Sequence, residues 1–242
     1  VLTSFRSAPS LPLTIFFIAS YAILALTNLV LGLKHKTYFF GYVLTIGSIS
    51  EIIGYVGRFL LYYNPYRSMG FQIQISCLIF APSFIAAGIY IMLQDIVKVF
   101  GTERSRVKPM VYTWAFIACD TVSLLLQAAG GGIAGGAGKN ANLRARGTNV
   151  MMAGIVFQVF TLVVFMVLVG DYVIRTRLAW DQVDQRAKNV ARRTSFRIFE
   201  AGVIVAFVGV FCRCVYRIAE MAGGWANPIM RDEAGFSVME GL

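Results

Sequence analysis

Residues Cys119–Asn140 read CDTVSLLLQAAGGGIAGGAGKN, and two incompatible folds turn on them. Gly130, Gly132 and Gly135 spell G-x-G-x-x-G, and a Gly-Lys follows. A dinucleotide fingerprint needs a strand before the glycines and a helix after them, inside a βαβ unit. Here the glycines follow an apolar run of membrane-helix length beginning near Pro109. The phosphate-loop pattern fails as well. Ile133 stands where its first glycine belongs, and Asn140 where its hydroxyl belongs. The nucleotide reading therefore falls, and with it an α/β fold. The glycines are left with two uses, close helix approach or a flexible exit from a helix.

The rest of the chain makes the same choice of solvent. Hydrophobic residues form 57% of its 242 residues and charged ones 14%, with mean hydropathy +0.68. Soluble domains carry roughly 25% charged residues. Six windows can cross a hydrocarbon core, which takes about 20 apolar residues at helical rise. They lie near Leu11–Leu33, Tyr38–Tyr62, Phe71–Val97, Pro109–Gly130, Val150–Val173 and Phe196–Met221. Helices satisfy their own backbone hydrogen bonds where water is absent. The expectation is an all-α polytopic membrane bundle of six transmembrane helices, forming one transmembrane domain over residues 1–242. The first window is too long for a signal-peptide core. Both ends read as trimmed, and a seventh helix is expected beyond Leu242. Cys77, Cys119, Cys212 and Cys214 all fall in apolar windows and read as small buried hydrophobes.

The net charge of +10 is distributed by loop. The odd-numbered loops hold Lys34, Lys36, Lys98, Arg104, Arg106, Lys108 and the basic run from Arg175 to Arg197. The amino terminus and even-numbered loops hold only Arg6, Arg67, Lys139, Arg144 and Arg146. By the positive-inside bias the odd loops are cytoplasmic and the amino terminus lies outside. The glycine-rich stretch then emerges outside, where nucleotide is scarce. Anionic inner-leaflet lipid is the natural partner of the basic loops. No aromatic–basic platform accompanies the charge, so nucleic acid is not expected as a partner. The fifth loop, from Arg175 to Ser195, carries a weak apolar face at Leu178, Val183, Ala187 and Val190, which predicts a helix on or near the inner surface.

Charge inside hydrocarbon is what the sequence announces most clearly. Glu51 and Arg58 lie in the second span, Asp120 and Gln127 in the fourth, and Arg213, Arg217 and Glu220 in the sixth. Seven residues separate the outer members of each set, nearly two helical turns, so each set lies on one face. A charge at the bilayer centre costs about 2.5–3.5 kcal/mol on insertion scales. These groups should therefore turn inward and pair. Gln72 and Gln74 open the third span on the same side, and Pro82 can kink it. The expected site is a polar cavity, widest toward the outer leaflet, formed by Glu51, Arg58, Gln74, Asp120, Gln127, Arg213, Arg217 and Glu220. Buried ion pairs can also simply pin helices together, and Gln158 fits either packing or cavity lining. Glu200 reads as interfacial.

At these residues the chain resembles the fungal RTA-like proteins, also called lipid-translocating exporters. The resemblance rests on Glu51-x-x-Gly54-Tyr55-x-x-Arg58, on Ala81-Pro82 with Ala86, Ala87 and Tyr90, on Asp120-x-x-Ser123-x-x-x-Gln127-x-x-Gly130-Gly131, and on Arg213-x-x-Tyr216-Arg217-x-x-Glu220. Gly147, Gly154, Gln158, Glu233 and Phe236 also fit, whereas Ser237 and Glu240 depart from the family's usual tyrosine and aspartate. The resemblance implies seven helices, an outer amino terminus and movement of, or resistance to, amphipathic compounds such as sphingoid bases, toxic sterols, azoles or porphyrins.

The functional expectation is a lipid or amphiphile translocator of the plasma membrane without an ATP site, its partners being membrane lipids and amphipathic small molecules. The alternative is a seven-helix sensor binding such a ligand from outside. An enzyme is not expected, and neither is a cofactor. A zinc-dependent lipid amidase needs several histidine ligands, and the chain has only His35, in a cytoplasmic loop.

Overall fold

The computed structural model describes residues 11–63, 68–101, 109–138, 140–180 and 185–222. Among them are seven helices: α1 (Leu11–Lys34), α2 (Tyr38–Tyr63), α3 (Ser68–Phe100), α4 (Pro109–Gly136), α5 (Ala141–Leu178), α6 (Gln185–Ala191) and α7 (Thr194–Ala222). All but α6 are long and apolar enough to cross a membrane. The protein is a polytopic helical membrane bundle. Arg6, Arg67, Arg104, Arg106, Lys108, Lys139, Val183, Glu233, Phe236, Ser237 and Glu240 lie outside the described residues. So do the side chains of Gln72 and Arg186.

The helices follow the apolar windows but overrun several of them. At helical rise α5 is about 57 Å long, well beyond a hydrocarbon core of about 30 Å. Its extensions are polar and locally supported. Asn140 caps the start, its side chain accepting a hydrogen bond from the Leu143 amide at 3.3 Å. Near the other end Arg175 pairs with Asp171 at 2.9 Å, one turn away. Hydropathy marks where the lipid stops, and these polar interactions let the helix continue into water.

The decisive glycine stretch also stays helical, so the flexible exit is not what it provides. α4 runs through Gly130, Gly131 and Gly132 to Gly136, and the chain then turns at Gly138, whose φ is +52°. A left-handed residue there favours glycine. Gly130 faces α5 so closely that a methyl group on it would lie 2.4 Å from the Met151 amide nitrogen. A methyl on Gly147 would lie 2.4 Å from the Ala134 amide nitrogen. Close helix approach is the use the fold makes of these two.

Successive helices pack as antiparallel neighbours: α1 on α2, α2 on α3, α3 on α4 and α4 on α5, with α7 against α3 and α5. α6 is short. Its Ala187 packs on Phe100 at the end of α3, beside Trp180 and Phe196. That contact brings the α5–α7 connection to the end of the bundle where α3 finishes. Of the expected weak apolar face, Leu178 ends α5 and Val190 lies in α6, both exposed, and Ala187 of α6 is buried.

The apolar surplus faces outward. Phe16, Leu26, Leu125, Phe160, Val167 and Val205 are all exposed, a distribution that suits lipid and not water. Of the four thiols only Cys214 is buried. Cys77 and Cys119 are half-buried and Cys212 is exposed, which corrects the uniform burial expected. An apolar window does not say which of its residues faces a neighbour and which faces acyl chains. His35 and Glu200 are exposed, as interfacial residues should be.

Candidate functional site

The inward face of α4 consists of Thr113, Phe116, Asp120, Ser123, Gln127, Gly130 and Ala134, in alternating steps of three and four. That of α7 consists of Val210, Arg213, Cys214, Arg217, Glu220 and Met221. Each helix thus buries its most polar stripe, the reverse of a soluble amphipathic helix. In hydrocarbon the apolar residues need no hiding and the charged ones do. The eight expected site residues are all turned inward, each no more than 5% exposed.

Among the described residues the polar groups sort into separate, buried sets. Arg213 Nη1 meets Glu51 Oε1 at 2.5 Å, tying α7 to α2. Ser50 beside it donates to the Cys77 carbonyl at 3.0 Å, tying α2 to α3. Further along α7, Arg217 Nη1 donates to Glu220 Oε2 at 2.7 Å within the same helix. Arg58 is buried on the same face of α2 as Glu51. Gln74 is buried on α3, where its backbone lies against Gly57 of α2. Its Oε1 has no hydrogen-bond partner among the described residues.

A second set crosses three helices. Gln127 on α4 donates to Gln158 Oε1 on α5 at 3.0 Å. Gln158 in turn donates to the Ser83 hydroxyl on α3 at 2.8 Å. Gln158 is therefore packing glue here, with both ends of its amide engaged. Replacing it with leucine is expected to cost about 1–3 kcal/mol, since the Gln127 amide and the Ser83 hydroxyl each lose a buried partner. Thermal unfolding of the purified variant in detergent measures this, and an unchanged midpoint would show that the ladder contributes nothing.

Asp120 departs from expectation. It faces inward but has no basic partner among the described residues, and neither carboxylate oxygen makes a hydrogen bond of good geometry. Beside it stands the hydroxyl of Tyr90 on α3. The reason lies in its neighbours. At this level α3 and α5 offer aromatic, amide and hydroxyl groups, while Arg213 and Arg217 on α7 engage Glu51 and Glu220. Below Asp120 the rings of Tyr90, Phe116 and Phe165 close together, with centroids 4.5 Å apart for Tyr90–Phe165 and 5.4 Å for Phe116–Phe165. Cys214 packs into the same cluster.

Tyr90 and Ser83 are the participants that charge-based reading does not single out. A signal existed for both. Each carries a hydroxyl within a membrane-length apolar run, and each lies on the same side of α3, seven residues apart, as Asp120 and Gln127 do on α4. The antiparallel register of α3 and α4 sets Tyr90 beside Asp120 and brings Ser83 to the level of Gln127.

Comparison with known proteins bears on this arrangement. The sphingoid long-chain base transporter RSB1 of Saccharomyces cerevisiae is 29% identical over 97% of this chain and 68% of its own length. Protoporphyrin uptake protein 1 of Saccharomyces cerevisiae is 28% identical over 77% of this chain and 59% of its own length. Protein RTM1, also of Saccharomyces cerevisiae, is 31% identical over 78% of this chain and 59% of its own length. No solved structure matches the chain. The family described as RTA1 like protein matches residues 44–242, a stretch that includes all eight expected site residues, and the chain belongs to that family.

Proposed function

We infer that the protein translocates single-chain lipid amphiphiles across the membrane, a sphingoid base being the class its buried layer suits best. The carrying observation is that ionised groups from α2 and α7, with an acidic group from α4, are gathered inside the bundle and closed off from lipid. Intramembrane charges of this kind mark substrate or ion paths. An amine headgroup has three carboxyl groups to meet, and the alkyl tail can remain among apolar side chains. The name of the relative RSB1 supports the same substrate class. The role is transport and not catalysis, in the plasma membrane, driven without ATP at a site of this chain's own. Anionic inner-leaflet lipid binds the exposed basic residues Lys34, Lys36, Arg175, Arg177, Arg192 and Arg193.

Because these side chains are buried, a headgroup reaches them only after an opening step, so transport proceeds through at least two states. The test is purified protein in phosphatidylcholine vesicles, with a fluorescent long-chain base loaded into one leaflet and no nucleotide added. Movement well above the rate in protein-free vesicles is expected. A rate equal to that background rejects translocation, and saturable binding without movement assigns the sensor role instead.

A further inference from the structure

Asp120 differs from the other buried acidic residues in its surroundings. Glu51 meets Arg213 and Glu220 meets Arg217, whereas Asp120 is 3% exposed, has no basic partner and no hydrogen bond of good geometry among the described residues, and has only the neutral Tyr90 hydroxyl beside it. A bare ionised carboxylate inside a bundle costs several kcal/mol. One neutral hydroxyl does not offset that cost, so the group lodges there with a proton on it or a cation against it. The surroundings decide which cation. No group of three or more metal-ligating side chains exists among the described residues, and a hard metal ion demands six or more oxygen ligands. Aromatic and aliphatic walls from Phe116, Leu162 and Phe165 suit an ammonium carried on an alkyl chain.

We propose that Asp120 is an exchange site at which one proton and one alkylammonium headgroup replace each other. This rests on the translocation reading above and supplies its energy source. In the exchange the Asp120 O–H bond breaks, its electron pair stays on the carboxylate, and the proton leaves to water on the side from which the ammonium arrives. The ammonium then pairs with the carboxylate. On the other side a proton takes its place and the ammonium departs. One positive charge enters for each that leaves, so the cycle is electroneutral and is driven by a pH difference, with the amine moving toward the acidic side. The groups facing Asp120 leave the exchange to it. α3 presents the Tyr90 hydroxyl to Asp120; Cys214 of α7 and Tyr112 of α4 stand around Tyr90 and not against the carboxylate, and Arg213 of α7 is engaged by Glu51. At this level α5 presents no titratable side chain among the described residues, its charged groups lying near its ends.

The experiment uses the full chain in phosphatidylcholine vesicles and radiolabelled hexadecylamine, whose amine stays charged from pH 5.5 to 7.5. Binding should weaken about tenfold per pH unit at the acid end, with one proton released per amine bound, read by a pH-sensitive dye in weak buffer. Asp120→Asn should bind at least tenfold more weakly, with neither pH dependence nor proton release, and Asp120→Glu should retain both. Wild-type binding that ignores pH and releases no proton overturns the exchange, and that readout depends on no variant folding. An Asp120→Asn variant that keeps the wild-type pH slope overturns it too. If the wild type moves long-chain amine without any pH effect, translocation stands and the exchange alone falls. If it neither binds nor moves the amine, both fall.

Discussion

Glu51→Gln is expected to destabilise the protein by about 3–5 kcal/mol, because it removes one partner of a buried ion pair and leaves the Arg213 charge in the interior without its carboxylate. The pair joins α2 to α7, with both residues nearly inaccessible, so neither water nor lipid headgroups can take over. For a chain of this size the unfolding midpoint in detergent should fall by roughly 10 °C or more. The double variant Glu51→Gln, Arg213→Met removes both charges and keeps similar volumes. It should recover most of the loss, since apolar replacement of an entire buried pair is often neutral. A single variant within about 1 kcal/mol of the wild type would sink the structural role. The double variant also separates helix pinning from a substrate path. If it is stable and still transports, the pair only pins helices; if it is stable and transports nothing, the charges serve the headgroup.

The second large effect is expected at Gly147. A methyl group there would lie 2.4 Å from the Ala134 amide nitrogen and 2.7 Å from the Gly130 carbonyl oxygen. Both are backbone atoms, so no flexible side chain can yield, and α4 and α5 must part. Overpacking of this kind costs about 1–3 kcal/mol and more where backbone must move. Parting the helices also strains the 3.0 Å Gln127–Gln158 hydrogen bond one to three turns away. Gly132→Ala is the contrast. A methyl there meets nothing within 4 Å, and alanine is the better helix former by about 0.5–1 kcal/mol. Thermal unfolding of the two alanine variants should therefore move in opposite directions. Equal shifts would show that the glycines act through helix propensity and not through contact.

Much of the candidate site was legible before any coordinates. Glu51, Asp120 and Arg213 stand out because ionised side chains are costly in an apolar run, and seven-residue spacing placed each set on one face. That face is the buried one in α4 and α7. Partnership was not legible. Arg217 and Glu220, one turn apart, also pair with each other within α7. Asp120 was expected to meet a basic residue and meets Tyr90. Which partner a buried charge finds depends on the axial register of neighbouring helices, and no periodicity within one helix encodes it. Helix ends show the same limit. The α5 window underestimates the helix because hydropathy registers lipid, while capping and ion pairing carry a helix onward into water.

By itself the sequence determined the solvent, the helical class, the spans and the faces of those spans that turn inward. Those properties follow from the cost of exposing charge or unpaired backbone to hydrocarbon, and that cost is written residue by residue. Only the tertiary structure decided that Gly130 and Gly147 bring α4 against α5, that Gln158 bridges α4 to α3, and that among the described residues Asp120 has no ion-pair partner while Glu51 has one. These are matters of how far one helix slides and rotates against the next. Close packing settles them through the fit of all the side chains at once.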